Sequence, residues 1–104
     1  LVLGGWGGTL CGLSNIDYYD ASENPTTTFY SFKKQTWYHV RLRVVPNRIT
    51  AWLDGEQLVD IDTTDRKIDI RAEMDLCQPL GIATWVTTGA VRNIFLTKLP
   101  DPVF

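Results

Sequence analysis

Aromatic and charged residues stand at alternate positions along two neighbouring segments of the sequence. Trp37, Arg41 and Arg43 share one phase of the first segment, and Trp52 and Asp54 share the matching phase of the second. Side chains two residues apart point to the same face of a β-strand. An indole ring stacks on the apolar face of a sugar, while guanidinium and carboxylate groups hydrogen-bond its hydroxyls. These five residues are therefore predicted to bind a carbohydrate, with packing of a tryptophan beneath a loop as the alternative.

The other phase of the same segments is apolar. It is predicted to form the core face, and it carries Tyr38, Val40, Leu42, Val44, Ile49, Ala51 and Leu53. Asp54-Gly55 joins two such alternating runs, which predicts a type I′ hairpin with positive φ at both residues. Pro46-Asn47 predicts the turn before it.

His39 is the only histidine in the chain. It falls on the predicted polar face, and an imidazole titrates near neutrality, as a general base requires. His39 is therefore the candidate catalytic residue, although an exposed histidine without a chemical role explains it more simply. A single histidine excludes a metal site with two histidine ligands.

Acidic residues suggest two further kinds of site. Asp60, Asp62 and Asp65 have the spacing of oxygen ligands for calcium, but the glycine and final glutamate of an EF-hand are missing. No cofactor is predicted, with a divalent metal such as calcium as the alternative. Glu73 and Asp75 alternate in the manner of a glucanase strand, but Cys77 stands at the next alternate position, where the third carboxylate of that pattern belongs. Because retaining glycosidases need two carboxyl groups, we interpret this stretch as a solvated loop.

The remaining pattern predicts an all-β fold with little helix. Residues 14–25 have the composition of a polar loop, and the apolar run Leu80–Val86 is typical of a strand covered on both faces, with Trp85 in the core. Val91–Leu99 is predicted to be the last strand. Seven to nine short strands favour an antiparallel jelly-roll β-sandwich.

Composition narrows the possible partners. The chain has 104 residues, 10 basic and 12 acidic, giving a net charge of −2 without a basic patch for nucleic acid. Its apolar runs are far shorter than the roughly 20 residues of a membrane span. Cys11 and Cys77 are predicted to form one disulfide or to remain two buried thiols.

Four segments together resemble the 3-keto-disaccharide hydrolase family, which belongs to the concanavalin A-like lectin and glucanase superfamily. They are WY before VRLRV, ITAWLDGEQLVDIDT, PLGIATW and VRNIFLTKL, and the likeness runs from about Leu1 to Leu99. The resemblance implies binding of glucoside-type sugars and, in some members, cleavage of a glycosidic bond beside a 3-keto group. That reaction needs a base and a group that stabilises an enolate, for which a metal would serve. No catalytic residue of the family is assigned to this chain.

Complete domains of that family are nearly twice as long as this chain. We therefore expect residues 1–99 to form one concanavalin A-like or laminin-G-like sandwich domain, incomplete at its amino end, followed by a tail at 100–104. Preceding strands or another chain would complete the sandwich, which otherwise exposes apolar faces and open edges. A secreted or periplasmic bacterial location is expected. The function is predicted to be that of a keto-sugar hydrolase or lyase, a noncatalytic sugar-binding module, or an assembly module that pairs by strand addition.

Overall fold

Two small antiparallel sheets make up the regular structure. The computed structural model describes residues 1–78, 80–85 and 87–100. One sheet has the order β1-β2-β3 and the other the order β4-β5-β6, and one 3₁₀ helix follows. The strands are β1 (Val2–Gly5), β2 (Leu10–Gly12), β3 (Thr28–Phe29), β4 (Val40–Val45), β5 (Arg48–Leu53) and β6 (Glu56–Asp62), and the 3₁₀ helix is Ala72–Cys77. The all-β class is confirmed, whereas jelly-roll connectivity stays a prediction.

Two tight hairpins build the β4–β5–β6 sheet. Pro46-Asn47 connects β4 to β5, and Asp54-Gly55 connects β5 to β6. Asp54 has φ 48° and Gly55 has φ 81°, so the predicted positive φ at both turn residues is confirmed. The side chain of Asp54 also secures this end of the sheet, because its Oδ1 accepts the backbone N–H of His39 at 2.7 Å.

The core lies on one face of this sheet, which we call the inner face. Ile49 and Ala51 of β5 face Ile61 and Val59 of β6, and all four are buried. Leu13, and Ile16 from the segment predicted to be a polar loop, complete the same cluster. That segment therefore covers the sheet, and the interpretation of residues 14–25 as a polar connection was wrong for Ile16, which is 1% exposed.

The inner face of β4 is not covered in the described structure. Val40, Leu42 and Val44 pair with Leu53, Ala51 and Ile49 and point to the same side, yet they are 43%, 49% and 61% exposed. The prediction that these three residues lie in the core was wrong. The reason is that β4 is an edge strand of this sheet, and the covering segment packs against β5 and β6.

Tyr38, which was predicted to lie in the core, belongs instead to an aromatic cluster. Its ring centroid lies 5.2 Å from that of Phe32 and 6.0 Å from that of Tyr30. Tyr38 is half-buried, and its hydroxyl accepts the backbone N–H of Lys33 at 2.6 Å. This cluster joins the end of β3 to the start of β4.

The predicted carboxyl-terminal strands are not formed. Residues 80–85 and 87–100 have no regular secondary structure, and Trp85 is 81% exposed, so the strands at Leu80–Val86 and Val91–Leu99 and the core position of Trp85 were wrong. An apolar run becomes a strand only when a neighbour accepts its hydrogen bonds, and neither sheet does so within the described residues. Val86 itself and residues 101–104 of the predicted tail lie outside the described part.

Cys11 and Cys77 are free, the first buried and the second half-buried, so the disulfide alternative is not realised. Burial raises the pKa of the Cys11 thiol.

None of the described helical structure is long and apolar enough to cross a membrane.

Candidate functional site

Polar and aromatic side chains of neighbouring strands lie side by side on the face of the β4–β5–β6 sheet opposite the core, which we call the outer face. The register places Arg41 beside Trp52, and Arg43 beside Thr50, which itself lies beside Asp60. The guanidinium carbon of Arg41 lies 4.9 Å from the centroid of the Trp52 ring, within the range of a cation–π contact. The structure therefore brings Arg41, Arg43 and Trp52 onto one face, as the alternation predicts.

The other two predicted sugar-binding residues have different surroundings. Trp37 precedes β4 and is exposed, and the guanidinium carbon of Arg92 lies 4.0 Å from the centroid of its ring. Asp54 is at the turn, where its Oδ1 holds the His39 backbone. Trp37 therefore has a cationic partner from the far end of the chain, and Asp54 has a structural role.

His39 is exposed at the start of β4. Its hydrogen bonds in the described structure run through its backbone, which donates to the Asp54 carboxylate and accepts from the Asp54 N–H at 2.8 Å. A histidine base is usually oriented by a second polar group on its ring. The catalytic role of His39 stays a prediction.

The three aspartates of the suggested calcium site make separate contacts. Asp60 accepts two hydrogen bonds from Arg48, at 2.6 and 2.7 Å, and Asp62 accepts the backbone N–H of Thr64 at 2.8 Å. The described residues form no group of three or more His, Cys, Asp or Glu side chains suited to a metal ion, so we assign no reaction step to a metal. Calcium binding at Asp60, Asp62 and Asp65 stays a hypothesis.

An open cleft lies elsewhere on the molecule, and sequence reasoning missed it. Its volume is about 270 Å³, and it lies between the loop 14–24 and the start of the 3₁₀ helix. The polar residues that line it are Asn15, Tyr18, Asp20, Glu23, Arg71 and Glu73. The available signal was the density of acidic, amide and tyrosine side chains in residues 15–24, which is typical of loops as well as of sites.

Hydrogen bonds between distant segments hold the two walls of this cleft together. The backbones of Asn15 and Asp69 exchange two hydrogen bonds, at 2.6 and 3.1 Å, and the Asp17 N–H donates to the Lys67 carbonyl at 2.8 Å. The Asp17 carboxylate also accepts from the Lys67 N–H at 2.8 Å and from Arg66 at 3.1 Å. This pairing brings Arg71, a few residues further on, to the cleft.

The amide of Asn24 fixes the shape of the loop that forms the first wall. Its Nδ2 donates to the carbonyls of Leu13 at 2.7 Å and Asp20 at 2.8 Å, and its Oδ1 accepts the backbone N–H of Thr26 at 2.9 Å. The buried Thr26 hydroxyl in turn accepts the Leu13 N–H at 2.9 Å. The loop is therefore built on satisfied internal hydrogen bonds.

Carboxylates dominate the charge of the cleft. Hydrogen bonds from Ser22, with a smaller contribution from the Arg71 charge, lower the pKa of Asp20. A backbone hydrogen bond and the Arg71 guanidinium, 3.3 Å away, lower the pKa of Glu73. Both carboxyl groups are therefore ionised at neutral pH. Arg71 also lies over the ring of Trp6, with its guanidinium carbon 5.1 Å from the ring centroid.

These features define an all-β domain with two small sheets, an aromatic and basic sheet face, and a polar cleft. The chain belongs to the 3-keto-alpha-glucoside-1,2-lyase-like domain family, whose model matches residues 3–97. The predicted family membership is thus confirmed, and it makes this a carbohydrate-related domain. Among curated proteins and solved structures, none matches this chain.

Proposed function

We propose that the domain binds glucoside-type sugars through the outer face of the β4–β5–β6 sheet. The contact between Arg41 and Trp52 carries the proposal, because the guanidinium that lies over the indole ring orients the ring and supplies N–H donors next to it. A ring that is already held by a partner loses little conformational freedom when a ligand stacks on it. Arg43 and Thr50, two residues further along the strands, add polar groups about 6.6 Å away for the sugar hydroxyls.

Replacement of the indole ring tests this site. We expect Trp52→Ala to weaken binding of maltose and of its 3-keto derivative by about 1 to 3 kcal/mol, because stacking is lost. Isothermal titration calorimetry measures the change, and Trp52→Phe should keep most of the affinity. Trp85→Ala is the matched control, since Trp85 is exposed and lies outside both sheets. Unchanged affinity in a folded Trp52→Ala protein would refute the sheet-face site.

Cleavage of keto sugars is the second candidate function, and the family match favours it. In a 1,2-elimination, a base removes the C2 proton that the 3-keto group acidifies. The electron pair then forms the C1–C2 double bond, and the aglycone oxygen leaves C1 with its bonding pair and takes up a proton. An enolate-stabilising group lowers the barrier to the first step.

A comparison of the oxidised and unoxidised sugar tests this chemistry. We expect the intact protein to cleave 3-keto-maltose and to leave maltose unchanged, because only the ketone acidifies the C2 proton. Chromatography of the products measures cleavage. His39→Asn should abolish it if His39 is the base, while full activity in that variant would exclude His39. Absence of cleavage by the folded protein would favour the noncatalytic sugar-binding module.

A further inference from the structure

We propose that the cleft lined by Tyr18, Asp20, Glu23, Arg71 and Glu73 is a second saccharide site, which takes one neutral hexopyranose ring and rejects acidic sugars. The proposal rests on the proposed sugar specificity of the domain but on none of the sheet-face residues. The cleft volume of about 270 Å³ lies just below the range for pockets that take drug-sized ligands, roughly 300 to 1,000 Å³. That size fits a single sugar ring better than an oligosaccharide.

The side chains of the cleft offer both kinds of hydrogen-bonding group that a sugar needs. The carboxylates of Asp20, Glu23 and Glu73 accept hydrogen bonds, while the Asn15 amide and the Arg71 guanidinium donate them. Each sugar hydroxyl both donates and accepts, so neighbouring hydroxyls can bridge such groups. Charged partners make these hydrogen bonds stronger than those between neutral groups.

An aromatic surface is present for the apolar face of the ring. Tyr18 is 80% exposed, although it lines the cleft, and Lys67 Nζ lies 5.4 Å from the centroid of its ring. The exposure of a large aromatic surface to water is energetically unfavourable. Stacking on the apolar face of a sugar would remove part of that surface from water. Tyr19, the next residue, is also exposed but does not line the cleft, and it provides a natural comparison.

The charge of the lining determines which sugars are accepted. Three carboxylates face one guanidinium, which already pairs with Glu73, and the Lys67 ammonium lies at the Tyr18 ring, so the carboxylates outnumber the cations. A uronic acid or a sugar phosphate would bring a further negative charge toward Asp20 and Glu23. Like charges brought together at a binding site act against the wrong ligand. Neutral pyranoses meet no such repulsion.

The cleft and the sheet face are independent of each other. The loop that forms the cleft packs through Ile16, next to the preceding Leu13, on the inner face of the β4–β5–β6 sheet. Arg41 and Trp52 lie on the outer face of the same sheet. Because the sheet separates them, one sugar ring cannot contact both surfaces.

Amide chemical-shift mapping of the intact protein tests the second site. Titration with methyl α-D-glucopyranoside should shift the backbone amides of Tyr18, Glu23 and Glu73, while D-glucuronate should bind at least fivefold more weakly. Tyr18→Ala should weaken binding at these amides at least fivefold, and Tyr19→Ala should leave it unchanged. Glu23→Lys should reduce the preference for the neutral sugar, since it removes one charge that repels glucuronate and adds an attractive one.

The pattern of shifts separates the two proposals. Saturable shifts at the cleft that persist in Trp52→Ala support the second site. Shifts confined to β4 and β5 overturn the cleft and leave the sheet-face site standing, whereas the absence of saturable shifts anywhere overturns both. Equal binding of glucuronate and the glucoside at the cleft overturns the charge selectivity.

Discussion

The Asp60 carboxylate has three hydrogen bonds on the outer face of the sheet. Two come from Arg48 and one, at 3.0 Å, comes from Thr50. The hydrogen bond from Arg48 is the largest cause of its lowered pKa, and the hydrogen bond from Thr50 acts in the same direction. A carboxyl whose pKa is lower in the folded state stabilises the fold while it is ionised.

Acid should therefore remove a stabilising contribution from this pair. The contribution is fully present above the ordinary carboxyl pKa of about 3.9 and is lost as the pH falls through the lowered pKa of Asp60. We expect Asp60→Asn to be less stable than the wild type at pH 7 and to lose less stability between pH 5 and pH 2. Urea unfolding at a series of pH values measures both.

A neighbouring aspartate serves as the control for this prediction. Asp65 has no ion pair among the described residues, so Asp65→Asn should follow the wild-type pH profile. A profile of Asp60→Asn that coincides with the wild type would show that the Arg48 pair does not contribute to stability. The expected effect is small because the pair is exposed.

Single residues were predictable where their partners are close in the sequence. Trp52 and Arg41 share a face because alternation fixes side-chain direction once the Pro46-Asn47 turn sets the register. The partner of Trp37 was not predictable, since Arg92 lies far along the chain. Period-two alternation says which way a side chain points, but it does not say which distant group meets it there.

The loop 14–24 shows the same limit for a whole element. Its turn-forming residues suggested a solvated connection. Ile16 is instead almost fully buried, and its backbone forms isolated β-bridges with Tyr19 and Ile68. One apolar residue among polar neighbours has no periodicity to reveal it. Hairpins are different, because Asp54-Gly55 specifies its turn through local backbone preference alone.

Ile16 should therefore be one of the residues on which stability depends most. We expect Ile16→Ala to lower the free energy of unfolding by about 2 to 5 kcal/mol, because it removes a buried side chain and leaves a cavity. Urea unfolding followed by circular dichroism measures the change. Ile68→Ala is the matched control, since Ile68 is 41% exposed and should cost much less. Equal costs for the two variants would contradict the core position of Ile16.

The predicted carboxyl-terminal strands failed for a physical reason that concerns the fold as a whole. Composition and alternation identify residues suited to a strand, but a strand exists only within a ladder of hydrogen bonds. Within the described structure, the apolar side chains of Ile82, Ile94 and Leu96 remain exposed. The sequence therefore predicted the all-β class and the β4–β5–β6 sheet, and it overestimated how much of the chain pairs.

On the scale of the whole molecule, exposed apolar side chains occur along the carboxyl-terminal segment and also on one edge strand. The inner side of β4 presents Val40, Leu42 and Val44, as the expectation of uncovered strand faces implies. Antiparallel pairing of two copies of β4 about Leu42 would place Arg41 of one copy opposite Arg43 of the other. Like charges directly opposite destabilise a strand pair. A strand of different sequence would suit this edge better than a second copy.

The β4–β5–β6 sheet also separates the two surfaces that we propose for sugars. In the terms of polymer chemistry, a domain that holds sugar residues on two faces directed away from each other has a valence of two. Such a domain joins one glycan strand to another, whereas a domain with a single binding face only coats a strand. The thickness of the sheet, together with that of the loop that covers its inner face, would then set the spacing between the two strands.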